Sequence, residues 1–237
     1  MKKLMMKRKT ILVVLACFLV FFLLSFWLIK GVKTASAKVH FSPFTVVIDA
    51  GHGGIDGGVS GKTSKVKESD LNLDIAKKLQ SQFENAGINV VMTRTTYGGL
   101  YGTTAKGFKK RDLQKRIKII NDANADLMIS LHLNYFSSPK TRGATAFFKS
   151  DDENGKRLAE SIQLYFNSSS GQVRKLSALK GDYYLLNQAN CPSVICECGF
   201  LSNEEEEKLL LLDSYRQEIA ELIFKGATTY LLSNKIS

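Results

Sequence analysis

Val46-Val47-Ile48-Asp49-Ala50-Gly51-His52-Gly53-Gly54 sets the architecture of this chain. An apolar, largely β-branched run that stops in a glycine cluster reads as a buried strand with a tight, sterically open exit. The histidine in that exit stands where a ligand or a metal ion can come close. Two later runs share the build. Asp126-Leu127-Met128-Ile129-Ser130-Leu131-His132-Leu133-Asn134 ends in a histidine and a polar residue, and Ser193-Val194-Ile195-Cys196-Glu197-Cys198-Gly199-Phe200 carries an acid inside an apolar strand. In a parallel sheet both imidazoles sit near the carboxyl ends of strands, where open α/β sheets bind ligands. One histidine at a strand end is ordinarily a satisfied polar residue. An ionised carboxylate in a buried strand is costly unless paired or associated with a metal, so His52, His132 and Glu197 together point to a metal site with its base.

The segments around these runs alternate. A glycine-rich loop from Gly51 to Glu68 precedes a helix opened by Ser69 and closed by Gly87, with Leu71, Ile75, Leu79 and Phe83 on one face. Asn89 to Arg94 reads as the next strand. The loop from Thr95 to Lys110, with four glycines, is long enough to be functional and is expected to be a substrate-facing flap. A helix near Arg111 to Ala123 leads into the His132 strand, and Gly143 to Lys149 reads as another strand. A helix over Asn154 to Phe166 aligns Leu158, Ile162 and Phe166; the run Tyr183-Tyr184-Leu185-Leu186 and the Glu197 strand follow, then a final helix from about Ser214 to Leu232. Strands separated by helices of this length predict an α/β fold: a single domain with a mostly parallel central sheet covered by helices on both faces.

A different segment precedes that domain. Residues 1–37 hold seven basic residues and no acid, and the nineteen residues from Ile11 to Ile29 lack any charge, long enough to span a bilayer as a helix. The basic flank predicts a cytoplasmic N-terminus and an exported domain over residues 38–237. Ala35-Ser36-Ala37 resembles a signal-peptidase site, but the long apolar core favours an uncleaved transmembrane signal-anchor. The chain is formally +11, from 33 basic and 22 acidic residues; without the seven basic residues of the leader it is 26 against 22. Most of the basicity is therefore topogenic, which argues against nucleic acid as a partner and suits a polyanionic cell envelope. Cys191, Cys196 and Cys198 crowd around Glu197. An odd number of thiols in an exported domain is no disulfide framework, and alternation puts Cys196 and Cys198 on one strand face with Glu197 on the other. A three-thiolate zinc site using Cys191 stays open as an alternative.

Asp49-Ala50-Gly51-His52-Gly53-Gly54, Glu68 before the first helix, Thr93-Arg94, Ser130-Leu131-His132-Leu133-Asn134 and Glu197-Cys198-Gly199-Phe200-Leu201-Ser202-Asn203 resemble, in order, the motifs of the zinc-dependent N-acetylmuramoyl-L-alanine amidases of the amidase-3 family. The resemblance spans about residues 45 to 232. Within the family the layout is most similar to the sporulation and germination amidases of the CwlD type: a membrane segment directly before a lone catalytic domain, and a flap ending in Lys106-Gly107-Phe108 before a basic helix. The resemblance implies one Zn2+ held by His52, Glu68 and His132, with a position left for water as catalytic zinc requires, and Glu197 as general base. Spacing alone does not select Glu68 over Asp56 or Asp70. It further implies peptidoglycan strands with stem peptides as substrate and a role in spore cortex maturation, where muramic-δ-lactam forms. Asp49 and Asn134 are expected to orient the ligating imidazoles; Arg94 and Arg116 are expected either to pair with stem-peptide carboxylates or to brace the sheet. Ala50 stands where the family usually has proline, and Cys198 where it has an aliphatic residue. Competing readings are a zinc peptidase acting within the stem peptide and a non-catalytic envelope-binding protein, and the long flap suggests an activating protein partner.

Overall fold

The computed structural model describes residues 44–138 and 140–234. The expected signal-anchor lies outside the described residues, and among those described no helix is long and apolar enough to cross a membrane. Among the described residues six strands and six helices follow in the order β1 (Thr45–Ala50), α1 (Glu68–Asn85), β2 (Asn89–Met92), α2 (Phe108–Asp122), β3 (Leu127–Asn134), β4 (Thr145–Phe148), α3 (Glu153–Phe166), β5 (Leu179–Lys180), α4 (Tyr184–Gln188), β6 (Ser193–Phe200), α5 (Glu204–Leu211) and α6 (Asp213–Ser233). The strands form one sheet in the order β2-β1-β3-β6-β4-β5. All pairings are parallel except β4 against β6, so the sheet is mostly parallel, as expected.

Period-two alternation divides each central strand between two cores. Val46, Ile48 and Ala50 of β1, Leu127, Ile129 and Leu131 of β3, and Val194, Cys196 and Cys198 of β6 face a large cluster. Helices α1, α3 and α6 close that cluster with Leu79, Phe83, Ile162, Phe166, Ile219 and Ile223 among others. Val47, Met128 and Ile195 face the other way, into a smaller cluster with Ile120 of α2 and Leu185 and Leu186 of α4. Each fully buried aliphatic or aromatic side chain contributes about 1.5–3 kcal/mol, and the larger cluster dominates by number.

Four elements differ from the sequence reading, of which the short edge strand β5 was not foreseen. Helix α1 begins at Glu68, because its first-turn N–H groups find partners in loop carbonyls: Glu68 N donates to Val59 O and Ser69 N to Gly57 O, making a serine cap unnecessary. The apolar run at Tyr183 becomes the short helix α4. Helix α5, unforeseen within the acidic run Glu204 to Glu207, is capped by the Asn203 side chain, which accepts from Glu205 N and Glu206 N. Two of its acids are buried as acceptors: Glu206 takes Gly143 N and Phe200 N, and Glu207 takes Thr63 N and Ser64 N.

Candidate metal centre and active site

The site grows out of strand register. Parallel pairing sets Val47 beside Met128, Asp49 beside Ser130, and His132 beside Glu197. On the α2 and α4 face, the apolar row Val47–Met128 therefore gives way, towards the carboxyl ends, to a polar row at Asp49 and Ser130 and then to His132 and Glu197. Beyond the end of β1, Gly51 is hydrogen-bonded to β3 through Gly51 N and Leu131 O at 3.0 Å. A Cβ on Gly51 would lie 2.3 Å from Cε1 of His132, so only glycine lets that ring lean across the end of β1. The chain then turns through His52, whose φ of +61° is unusual for a residue with a side chain.

His52, Glu68 and His132 converge. His52 Nε2 lies 3.3 Å and His132 Nδ1 3.0 Å from Glu68 Oε1, and the two rings meet edge-on with centroids 5.0 Å apart. The ligand atoms of the three residues all fall within 4.8 Å of one another, and no other group of His, Cys, Asp or Glu among the described residues is arranged to hold a metal ion. A tetrahedral ion with bonds of about 2.0–2.1 Å to nitrogen and oxygen separates its ligands by about 3.3 Å, so two imidazoles and a carboxylate at these distances fit zinc. Three donors fix the Glu68 carboxylate in place, with Val59 N donating to Oε2, and Leu133 N and Asn72 Nδ2 donating to Oε1. Burial opposes its ionisation, but the two imidazoles outweigh burial and keep the carboxyl well below the usual range. Gly58, in the left-handed region at φ +67°, packs so closely that a Cβ there would lie 2.3 Å from Glu68 Oε2.

Glu197 stands beside the cluster. It is 9% exposed, and its Oε2 finds no hydrogen-bond donor among the described residues. Burial pushes its carboxyl above the ordinary value; His132 and His52 pull it down, and Glu68 adds to the rise. A carboxylate with a free oxygen and a raised pKa suits proton transfer near neutral pH. Cys196 and Cys198 lie in the core behind it, whereas Cys191 packs on the opposite face of the sheet, so a three-thiolate site does not form.

Asp49 accepts from Thr93 Oγ1 (2.6 Å), Ser130 Oγ (2.6 Å) and Arg116 Nη1 (2.7 Å), and the side-chain oxygen of Asn134 accepts from Tyr135 N. Neither makes a hydrogen bond to an imidazole among the described residues. Arg116, 1% exposed, pairs with Asp49 and Asp112 and donates to the carbonyls of Ala50 (2.7 Å) and His52 (2.5 Å). Arg94 is buried and donates to the carbonyls of Ala50, Thr96, Gly51 and Ser69. Both arginines thus hydrogen-bond the backbone at the exit of β1. The imidazole partner that sequence reasoning missed is Asp56, whose Oδ2 lies 3.0 Å from His52 Nδ1; its spacing of four residues in a glycine-rich turn was the available signal. A cavity of about 190 Å3 opens beside the cluster, lined by His52, His132, Asp56, Lys109, Leu113 and Leu185 among others.

Comparison with known proteins places this geometry. Residues 46–229 match the amidase-3 family, described as N-acetylmuramoyl-L-alanine amidase. The chain is 34% identical over 189 residues to the germination-specific N-acetylmuramoyl-L-alanine amidase of Bacillus subtilis, covering 78% of each. It superposes on the CwlD amidase of Clostridioides difficile, solved in complex with the GerS lipoprotein, with a TM-score of 0.76 and 38% identity over 80% of this chain and 99% of that one. A second solved N-acetylmuramoyl-L-alanine amidase, from Clostridium difficile 630, matches with a TM-score of 0.73 and 32% identity over 81% and 99%.

Proposed function

The chain belongs to the amidase-3 family of N-acetylmuramoyl-L-alanine amidases, and from that membership we propose a division of labour in which His52, Glu68 and His132 hold one zinc ion and Glu197 moves the proton. The bond cut by this peptidoglycan amidase is the amide between the lactyl group of N-acetylmuramic acid and the L-alanine of the stem peptide. The observation that carries the proposed roles is the convergence of three ligand atoms on one point beside a buried carboxylate whose Oε2 lacks a partner.

A zinc ion held by His52, Glu68 and His132 would supply Lewis acidity for the amide carbonyl and for an attacking water. The chain does the rest. Glu197 accepts the proton of the attacking water and passes it to the nitrogen of L-alanine as the C–N bond breaks, leaving a carboxylate on the lactyl group and a free amine on the stem. Arg116 and Arg94 hold the backbone that presents His52, and Gly51 leaves the space into which the His132 ring leans.

The location of the reaction is part of the same proposal. The germination-specific name of the Bacillus relative supports a role in spore cortex, with residues 1–37 as cytoplasmic flank and membrane anchor and residues 38–237 as the catalytic domain outside the cytoplasm. The C. difficile relative is in complex with a lipoprotein, which supports an activating protein partner for this chain as well.

The test is to incubate the purified protein with zinc and cortex peptidoglycan and to identify the products by mass spectrometry. Free stem peptides beginning with L-alanine, together with peptide-free glycan, are expected. Glu197→Ala is expected to keep its zinc and lose about 10²–10⁴-fold in turnover, and His52→Ala to lose the metal. L-alanine left on the sugar would identify a peptidase instead, and full activity in Glu197→Ala would remove the base assignment.

A further inference from the structure

The His52 ring is held at both of its nitrogens. Nε2 faces Glu68, and Nδ1 lies 3.0 Å from Oδ2 of Asp56. Asp56 comes back to His52 because the intervening turn closes on itself, with Gly53 N donating to Asp56 O at 2.8 Å and Asp56 N to Gly53 O at 3.2 Å. The other oxygen of Asp56 is taken by Lys109, with Nζ to Oδ1 at 3.2 Å. Lys109 arrives from the first turn of α2, a turn with no acid and three consecutive basic residues. Cations there run against the helix dipole, which favours acids at that end. Arg111 has a structural use, since it donates to the loop carbonyls of Tyr101, Thr103, Ala105 and Lys106. Among the described residues Lys109 pairs only with Asp56, and its side chain is 65% exposed. An exposed lysine–aspartate pair contributes about 0–1 kcal/mol, so stability does not account for it.

We propose that Lys109 and Asp56 form a positioning relay that keeps the Nδ1 proton of His52 on the Asp56 side and so turns the Nε2 lone pair towards Glu68 and His132. The inference rests on the reading of His52 as a metal ligand. His52 occupies the left-handed region of backbone space, a conformation that persists only where surrounding contacts over-determine it. Arg116 fixes its carbonyl; the relay fixes its ring. Asp56 is the positioning residue, and Lys109 holds the Asp56 carboxylate in the rotamer that reaches Nδ1. A carboxylate on the far nitrogen of a ligating histidine selects the tautomer and strengthens the ligand, and losing such a partner typically costs about 10–100-fold in metal affinity.

The test uses the full chain. Zinc affinity is measured by chelator competition, and the protonation of each ring nitrogen by long-range 1H–15N spectra of the zinc-loaded protein, which are tractable with three histidines in the sequence. Asp56→Ala is expected to bind zinc about 10–100-fold more weakly, to lose the slowly exchanging Nδ1 proton signal of His52, and to lower kcat with KM for muropeptides unchanged. Asp56→Asn, which still presents an acceptor oxygen, is expected to restore most of the affinity. Lys109→Met is expected to weaken zinc binding in the wild-type background and to add nothing on top of Asp56→Ala, since residues acting in series are non-additive. Unchanged zinc affinity and an unchanged His52 signal in folded Asp56→Ala would overturn the relay, as would full additivity of the two substitutions. His52→Ala run in parallel separates the two levels: zinc retained there overturns the ligand reading and the relay with it, whereas zinc lost there and kept in Asp56→Ala overturns the relay alone.

Discussion

Arg116 and Asp49 are the pair on which the exit of β1 depends. Asp49 is fully buried, and burial alone would raise its carboxyl; the Arg116 charge and the hydroxyls of Ser130 and Thr93 outweigh burial and hold it at about 2, against an ordinary 3.8. A folded-state value below the unfolded one means stability that is present above the unfolded value and lost as the pH falls towards the folded one. Here that is about 2 kcal/mol, present above about pH 4 and lost as the pH falls from about 4 to 2. Arg116→Leu leaves Asp49 charged and unpaired, so a cost of about 3–5 kcal/mol is expected in urea unfolding at pH 7, shrinking on acidification because a protonated Asp49 no longer needs the cation. An equal cost at pH 7 and pH 3 would contradict this account. The sequence marked both arginines but left them between substrate and scaffold. Their burial was not legible, because it depends on contacts between segments far apart along the chain, such as Arg116 with Asp49. Asp56 went unrecognised as the partner of His52 for a similar reason: an acid in a glycine-rich turn shows its direction only once the turn is closed.

The segment from Thr95 to Lys110, expected as a substrate-facing flap, borders the site and is tied down along its length. Gly54 N donates to Tyr97 O (2.7 Å), Ile55 N to Tyr101 Oη (2.9 Å), and Leu100 N to Asp112 Oδ1 (2.5 Å), and Arg111 draws four more loop carbonyls to α2. Hydrogen bonds to a charged group are worth about 1.5–3 kcal/mol each. Arg111→Ala is therefore expected to speed amide exchange across residues 98–107 by at least about tenfold while exchange in β1 and β3 stays unchanged; no change in the loop would show that the staple is redundant. Length and glycine content identified this loop, but not its anchors, because Arg111 reads from sequence as one of three adjacent surface cations. The long elements α1 and α3 were legible from their apolar periodicity. Helix α5 was not, because four glutamates in a row read as solvated surface, although Glu206 and Glu207 are buried acceptors for loop N–H groups. The run at Tyr183 was too short for periodicity to separate strand from helix.

At the scale of the molecule, the chemistry sits where the apolar rows of one sheet face run out. The larger core on the opposite face, closed by α1, α3 and α6, provides the rigid back against which β1, β3 and β6 keep their register. A one-residue slip of β6 would turn Glu197 into that core and a cysteine towards His132. Alternation, and hence the two-faced sheet, could be read from the sequence; strand order and the antiparallel β4 could not, since they depend on contacts between segments far apart. Metal removal should be felt across this whole unit, because the cluster joins the exit of β1 (His52), the start of α1 (Glu68) and β3 (His132). Exhaustive chelation is expected to abolish turnover and lower Tm by several degrees, with zinc restoring both, since a ligand bound only to the native state stabilises it by mass action. A Tm indifferent to chelation would mean that the three residues hold together without the ion.

The packing of Cys196 and Cys198 against the large core reaches into the chemical ageing of the enzyme. Burial pushes both thiols far above their ordinary pKa, so neither forms the thiolate that peroxides and disulfides attack. The strand that carries Glu197 is thereby protected from oxidation for as long as the fold stays closed, so that loss of the fold, and not thiol chemistry in the folded state, is what exposes it.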